Sequence, residues 1–274
     1  MPSRQRWRTC RTLSTPTIRS CCGRESCWRR ASEPAAALLV AGQNPYHRPV
    51  HELDNPIWSA LTTRHKEFAR GSGDGRALRY PKEVAPFIAV SANEAGAPVD
   101  ISSLAEPGEL FYLVGPAPAL PDSFRVEQRA AVVQMIWTRG PAPAAQLPVR
   151  VLSDSDTPAM VELTSLVFPG FFRPHTPQMG RYLGIFDGES LVALSGERMR
   201  TDKYQEISAV CTHPNFTGRG YARGLVLQLV NEILQRGDIP FLHVGESNAH
   251  ARLLYERMGF TARAQLPMLL VRRQ

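Results

Sequence analysis

The sequence predicts an α/β protein with a mixed β-sheet that carries helices on both faces, preceded by a smaller α/β half. From residue 149 onward the patterns run strand, helix, two paired strands, strand, helix, strand, helix, strand. A proline- and alanine-rich linker at 140–145 separates this part from the earlier one. Hydrophobic residues make up 43% of the 274 residues, which can support a core. No apolar run approaches the ~20 residues of a membrane span, so we expect a soluble protein.

Three segments are expected: residues 1–42, 43–140 and 147–274. The first is basic, since residues 1–40 contain eight arginines, no lysine and two acidic residues, or +6 of the total net charge of +7. The same stretch holds four of the five cysteines. Residues 41–274 therefore carry only +1, and we expect neither a nucleic-acid partner nor a membrane partner.

Several interpretations of residues 1–42 stay open. The arginine-rich, acid-poor composition is typical of a transit peptide, and it also suits a basic tail that touches nucleic acid or acidic membrane. A zinc site is disfavoured because the four cysteines lack paired Cys-x-x-Cys spacing. We favour a disordered or non-native segment outside the folded unit. Because Cys211 is the sole cysteine beyond it, the expected compartment is the reducing cytoplasm.

The segment 43–140 predicts a helix and at least three strands. Residues 55–70 place Ile57, Leu61 and Phe68 near helical spacing before a Gly-Ser-Gly-Asp-Gly turn. The apolar runs at 87–90, 110–114 and about 131–136 predict strands bounded by turn residues. No catalytic cluster is evident in this half.

The segment 147–274 opens with a strand at 149–152. Ser and Asp residues that favour helix N-caps follow, predicting a helix that runs through Phe168. Strands at 181–186 and 191–199 flank an Asp-Gly hairpin signal at 187–188.

The next elements surround the most informative part of the chain. A strand at 206–212 leads into a helix at 220–236, whose aliphatic residues form a wide apolar face. Gly237 suits the end of this helix. A short apolar strand at 241–244 follows, and Asn248 is placed to cap the next helix.

The turn before the helix at 220–236 predicts an anion site. Gly218 and Gly220 lack the Cβ atoms that would keep a ligand from the backbone. The first turn of the helix leaves N–H groups unpaired at the positive end of the helix dipole. A pyrophosphate is a natural occupant of such a site.

Two segments together resemble the GNAT superfamily of acetyl-CoA-dependent N-acyltransferases, near its glycine-N-acyltransferase-like branch. Residues 217–222 follow the family's Arg/Gln-x-x-Gly-x-Gly/Ala phosphate loop, with Thr217 in the place of Arg or Gln. Residues 248–260 match the family's Asn-x-x-Ala-x-x-Leu-Tyr-x-x-x-Gly-Phe signature at each fixed position. Those positions are Asn248, Ala251, Leu254, Tyr255, Gly259 and Phe260.

The resemblance implies a mostly antiparallel GNAT-like sheet and acetyl-CoA as acyl donor, without a metal. It implies that strand 206–212 splays from its neighbour after Val210, so that the pantetheine arm pairs with its backbone. It leaves open whether 43–140 is a degenerate GNAT-like copy. The residues that would contact the cofactor are Val210, Thr212, Thr217, Gly218, Arg219, Gly220, Tyr221, Ala222 and Asn248.

The resemblance also suggests the catalytic groups. Tyr255 is the candidate acid for the thiolate leaving group, and Glu206 is the candidate base, acting through water. The alternative for Glu206 is an exposed carboxylate at a strand end. His213 and His243 are further candidates, although a turn residue and a hydrogen-bonded core residue are the simpler interpretations. Cys211 is expected to be structural.

The expected reaction is direct acetyl transfer to the amine of a small molecule or an amino-acid-like acceptor. The helix ending at Phe168 and the segment 168–175 should line the acceptor side, where Arg173 could pair with a carboxylate. Phe171 and Phe172 could equally be core residues. Alternatives are a non-catalytic acyl-CoA sensor and a protein N-terminal or lysine acetyltransferase. The protein is expected to be a monomer or a homodimer.

Overall fold

The computed structural model describes residues 51–144 and 146–274. The predictions for residues 1–42 lie outside the described residues. Within the described part, no helix is long and apolar enough to cross a membrane.

The first half contains one α-helix and five strands among its described residues. The predicted helix at 55–70 is shorter than expected, because Thr62 ends it and a 3-10 turn follows at Lys66–Phe68. The glycine-rich stretch at 72–75 forms the turn between the two short strands that follow. The elements are α1 (Pro56–Thr62), β1 (Arg70–Gly71), β2 (Ala77–Arg79), β3 (Ile88–Val90), β4 (Leu110–Val114) and β5 (Phe124–Trp137).

The second half follows the predicted order of elements. Its elements are β6 (Arg150–Val151), α2 (Thr157–Val167), β7 (Tyr182–Asp187), β8 (Ser190–Arg200), β9 (Tyr204–Thr212), α3 (Tyr221–Gln235), β10 (Ile239–Gly245), α4 (Ala249–Met258) and β11 (Phe260–Arg273).

Local chemistry sets several of these boundaries. Ser153 and Asp156 form a capping box before α2. Gly188 adopts a φ of +59° in the β7–β8 hairpin, and Gly237 adopts +82° just after α3, conformations that favour glycine. The Asn248 side chain accepts a hydrogen bond from the Ala251 N–H at 3.0 Å and so caps α4.

The main sheet has the strand order β4-β11-β5-β10-β9-β8-β7-β6 in the described chain. Its neighbours are antiparallel except β9 and β10, which are parallel. A separate sheet has the order β1-β2-β3. Ala193 of β8 lies in the apolar cluster with α3 and α4, whereas the next residue, Leu194, lies in the cluster with α2. Because successive side chains point to opposite faces, helices cover both faces, which confirms the predicted fold class.

The position of β5 corrects the predicted boundary between 140 and 147. This strand comes from the first half, yet it lies between β10 and β11 and pairs with both. One sheet therefore contains strands from both halves, and the linker does not separate two structural units. The residues of β5 read as a strand in the sequence, but its partners are more than 100 positions away.

Candidate active site

A cleft opens in the main sheet where β9 and β10 part. The two strands pair only from Ile239↔Tyr204 to Phe241↔Glu206. Beyond this point β10 continues along β5 and β9 continues along β8. The sequence-based expectation placed this divergence after Val210. It starts four residues earlier, because β10 stays with β5 through Gly245.

A β-bulge lies on the β9 side of this cleft. The pairing with β8 passes from Leu194↔Cys211 to Gly196↔Ser208, so Ala209 and Val210 have no partners in that register. Ala209 has a φ of +53°, a left-handed conformation that is uncommon for alanine. Bulges of this kind are frequent next to active sites, where they redirect backbone groups. Among the described strands, the bulge and the divergence together leave Ala209 and Val210 without a paired residue on either side.

A cavity of about 370 Å³ fills the cleft, a size typical of small-molecule sites. Val210, Asn248 and Tyr255 line it, so three of the predicted site residues meet here. Side chains of the first half, including Phe87 and Val132, line it as well.

Tyr255 reaches the cavity from α4 and is 8% exposed. Its hydroxyl is not among the buried polar atoms that lack a partner, in agreement with its place in the cavity wall. Burial raises the pKa of Tyr255 to about 12. The phenol is therefore protonated at neutral pH and can donate a hydrogen bond.

The glycine loop lies at the start of α3, outside the cavity wall. Gly218 and Gly220 have φ values of +78° and +77°, and a Cβ at either position would meet nothing within 4 Å. The first helical hydrogen bond runs from the Gly224 N–H to the Gly220 carbonyl at 3.0 Å. The N–H groups of Tyr221 and Ala222 precede it and are left for another acceptor.

Two arginines and a threonine complete the surroundings of this loop. The Arg219 guanidinium lies 4.6 Å from the centre of the Phe216 ring, and Arg223 is exposed in the first turn of α3. The Thr217 hydroxyl donates a hydrogen bond to the Pro214 carbonyl at 3.1 Å. Thr212, the last residue of β9, leads towards the loop and does not line the cavity. The loop thus presents an open surface with positive charge to an anion.

Glu206 lies beneath the cavity floor with its side chain fully buried. The Arg198 guanidinium donates two hydrogen bonds to its carboxylate, at 2.8 and 2.7 Å, and the Met199 N–H donates a third at 3.3 Å. Burial alone would raise the pKa of Glu206, but the charge and hydrogen bonds of Arg198, followed by the hydrogen bond of His243, lower it to about 2. The alternative of an exposed carboxylate at a strand end is therefore wrong.

His243 lines the cavity between two fixed partners. Its Nδ1 lies 2.8 Å from Glu206 Oε1, and its Nε2 lies 3.0 Å from Nε2 of Gln134. The Gln134 amide nitrogen also donates to the Leu53 carbonyl at 3.0 Å, while its oxygen accepts from Arg263 at 2.8 Å. This pattern assigns the neutral tautomer with the proton on Nδ1. Both ring nitrogens of His243 therefore already form hydrogen bonds.

Sequence reasoning missed Arg198 and Gln134. Each lies in a strand other than β9, eight and 72 positions from Glu206 along the chain. Arginine and glutamine at buried, inward-facing strand positions are the available signal. Nothing in the linear sequence, however, says that the two side chains converge on Glu206 and His243.

The remaining sequence candidates have separate places. Cys211 is buried, and burial raises the pKa of its thiol to about 12, which leaves the thiol unreactive. His213 accepts a hydrogen bond from the Asn215 N–H at 3.2 Å in a turn. Phe172 packs in the core against Tyr182, whereas Phe171 lines the cavity. Arg173 lines a different depression.

Comparisons with known proteins agree with this geometry. The family model described as "FR47-like protein" matches residues 182–267. The chain has no match among the curated proteins. A GNAT-family structure from Novosphingobium aromaticivorans shares 34% identity at a TM-score of 0.74, covering 82% of this chain and 100% of the other.

Two more distant structures share the fold. A GCN5-related N-acetyltransferase-like protein from Streptococcus suis has a TM-score of 0.52 at 15% identity, covering 81% of this chain and 96% of its own. A functionally unknown conserved protein from Staphylococcus epidermidis has a TM-score of 0.51 at 12% identity, covering 82% of this chain and 98% of its own. The Novosphingobium relative is 34% identical and is covered over its whole length, which shows the family: this chain belongs to the GNAT family.

Proposed function

We propose that this protein is an acetyl-CoA-dependent N-acetyltransferase that acts directly on the amine of a small molecule or an amino-acid-like acceptor. The observation that carries the proposal is the cleft between β9 and β10. It combines unpaired backbone at Ala209 and Val210 with a protonated phenol at Tyr255, and the glycine loop follows the same strand. The glycine-N-acyltransferase-like branch remains a prediction.

The cofactor would span this cleft from the loop to the cavity. The pyrophosphate would bind the backbone N–H groups between Gly218 and Ala222, where the α3 dipole favours negative charge. The pantetheine arm would pair with the free edge of β9 near Val210, as an added strand does. A backbone N–H at the bulge would then polarise the thioester carbonyl, which is worth about 3 kcal/mol in comparable oxyanion sites.

The transfer balances without a covalent enzyme intermediate. The amine nitrogen attacks the thioester carbonyl, the new C–N bond forms, and the C–S bond breaks with its electron pair on sulfur. Tyr255 donates its proton to that sulfur. The proton lost by nitrogen returns to the tyrosine oxygen through water, so the products are the amide and the free thiol.

The geometry argues against Glu206 as the base. Its oxygens already accept hydrogen bonds from Arg198, Met199 and His243, and a carboxylate with a pKa of about 2 is a weak proton acceptor at neutral pH. We assign Glu206 a positioning role: it neutralises Arg198 and orients His243 at the cavity floor.

Calorimetric titration with acetyl-CoA tests the proposed cofactor site. The wild-type protein should bind saturably, and Gly220→Glu should weaken binding, since it places a carboxylate where the pyrophosphate would lie. Gly237→Glu is the matched control, because Gly237 is also exposed, has φ +82° and has open space for a Cβ at the other end of α3. Equal loss in both variants, or no binding by folded wild type, would contradict the proposal.

A non-catalytic acyl-CoA sensor is the second candidate, favoured by Thr217. This residue occupies the motif position of an arginine or glutamine and bonds its own loop instead. A sensor would bind acetyl-CoA without releasing free thiol over a panel of amines. The protein-acetyltransferase alternative has less support, because side chains of the first half form part of the cavity wall.

A further inference from the structure

Five apolar side chains line part of the cavity wall. We call the space beside them the acceptor chamber. These side chains are Phe87, Phe168, Phe171, Met199 and Met268. Phe171 is supported from behind by Tyr112, with the rings stacked 4.4 Å apart at 19°. A flat apolar group would bury its faces against these side chains.

The charges around the chamber disfavour an ammonium group. Of the described residues that line the cavity, none is an aspartate or glutamate. The ionisable residues in the wall are Arg198, His243 and Tyr255. Glu206 lies behind Arg198, fully buried and fully hydrogen-bonded. An ammonium entering the chamber would lose its hydration without gaining a carboxylate partner, and it would meet a guanidinium.

Deprotonation inside the chamber is equally disfavoured. The carboxylate of Glu206 is committed to Arg198, and both His243 nitrogens are engaged by Glu206 and Gln134. An alkylamine with a pKa of about 10.4 is neutral in roughly one molecule in 2,500 at pH 7. The site therefore selects acceptors that arrive without a charge.

We propose that the acceptor is a flat aromatic amine, with the nitrogen bonded to the ring, that is uncharged at neutral pH. This inference rests on the proposed acetyltransferase function and narrows its substrate class. The ring would lie among Phe87, Phe168 and Phe171, with the amino group directed to the thioester beside the bulge. The C–N bond forms as the C–S bond breaks, and the proton passes from nitrogen to sulfur by way of Tyr255.

The test compares para-toluidine with benzylamine, two isomers that carry the same atoms and a similar ring. Para-toluidine is neutral at pH 7, whereas benzylamine is an ammonium. With the full chain and acetyl-CoA, release of free thiol should give a kcat/KM at least about tenfold higher for para-toluidine. Equal efficiencies, or a preference for benzylamine or glycine, would overturn the inference.

A charge introduced into the chamber wall provides the decisive variant. Met268 lies half-buried in the wall, so Met268→Glu would supply the missing carboxylate, and Met268→Gln is its uncharged control. Met268→Glu should narrow the preference for para-toluidine by about tenfold or more, while Met268→Gln should retain it. The same change in both variants would count against the inference. Melting curves of both variants establish that they are folded.

Binding measured without acetyl-CoA separates this inference from the proposed function. Calorimetry at pH 7 should show para-toluidine binding more tightly than benzylamine, with Met268→Glu reversing the order. If this binding pattern holds but no thiol is released, the acetyltransferase proposal fails and the ligand class stands. If thiol is released mainly with benzylamine or glycine, the acetyltransferase proposal stands and the inference fails.

Discussion

Tyr255 offers the sharpest test at the scale of single residues. Removing its hydroxyl in Tyr255→Phe keeps the ring, which packs against Phe260 with centroids 6.0 Å apart. We expect kcat to fall by about 10²-fold or more, since general acid catalysis contributes that much. Calorimetry should find acetyl-CoA affinity unchanged. An unaltered kcat in the folded variant would remove Tyr255 from the reaction.

Glu206 provides a prediction about stability. Glu206→Gln leaves Arg198, whose side chain is only 13% exposed, without its counter-charge, so we expect a loss of about 3–5 kcal/mol in the free energy of unfolding at pH 7. Urea unfolding of the wild type and of Glu206→Gln measures this difference in the free energy of unfolding. A loss below about 1 kcal/mol would mean that the ion pair is not maintained.

The pH dependence of that loss has a definite sign. Because the folded-state pKa of Glu206 lies near 2, below its ordinary value of 4.5, the carboxylate stabilises the fold above about pH 4.5. This stabilisation is lost as the pH falls towards 2. The difference between wild type and Glu206→Gln should therefore be constant from pH 5 to 7 and shrink in acid. A difference that grows in acid would contradict this assignment.

At the scale of elements, the bulge in β9 is the feature that shapes the cleft. Ala209 adopts a φ of +53°, which glycine tolerates and a β-branched residue does not. We expect Ala209→Gly to keep its activity, with a free energy of unfolding within about 1 kcal/mol of the wild-type value. Ala209→Val should have a lower melting temperature, and its kcat should fall about 10²-fold, as for a lost oxyanion donor. Indistinguishable kcat values for the two variants would show that the bulge does not position a catalytic group.

The helix that follows this strand was accessible to sequence reasoning, whereas the environment of Glu206 was not. Gly220, the apolar face of α3 and Gly237 are signals within one stretch of chain, and the structure places the helix at Tyr221–Gln235. Whether Glu206 is exposed depends on Arg198 in β8 and His243 in β10, which approach it only in the folded sheet. Side-chain type identifies a titratable group, whereas its neighbours determine its pKa.

At the scale of the whole molecule, the two halves depend on each other. A fragment of residues 147–274 lacks β5, so the edges of β10 and β11 that pair with it would be exposed. We expect this fragment to aggregate, whereas residues 41–274 should unfold in a single cooperative transition. Size-exclusion chromatography of the two proteins would measure aggregation, and thermal melts would show whether each unfolds in a single transition. A monomeric fragment 147–274 that binds acetyl-CoA would show that β5 is dispensable.

The sequence by itself determined the order of elements from residue 149 onward, the glycine loop at 217–222 and the cap at Asn248. These features depend on periodicity and turn chemistry within a few residues. Only the tertiary structure decided that β5 lies between β10 and β11, that the cleft opens after Glu206, and that no carboxylate lies among the described residues of the cavity wall. Strand partners and side-chain environments are contacts between distant positions, and a local pattern carries no information about which of them meet.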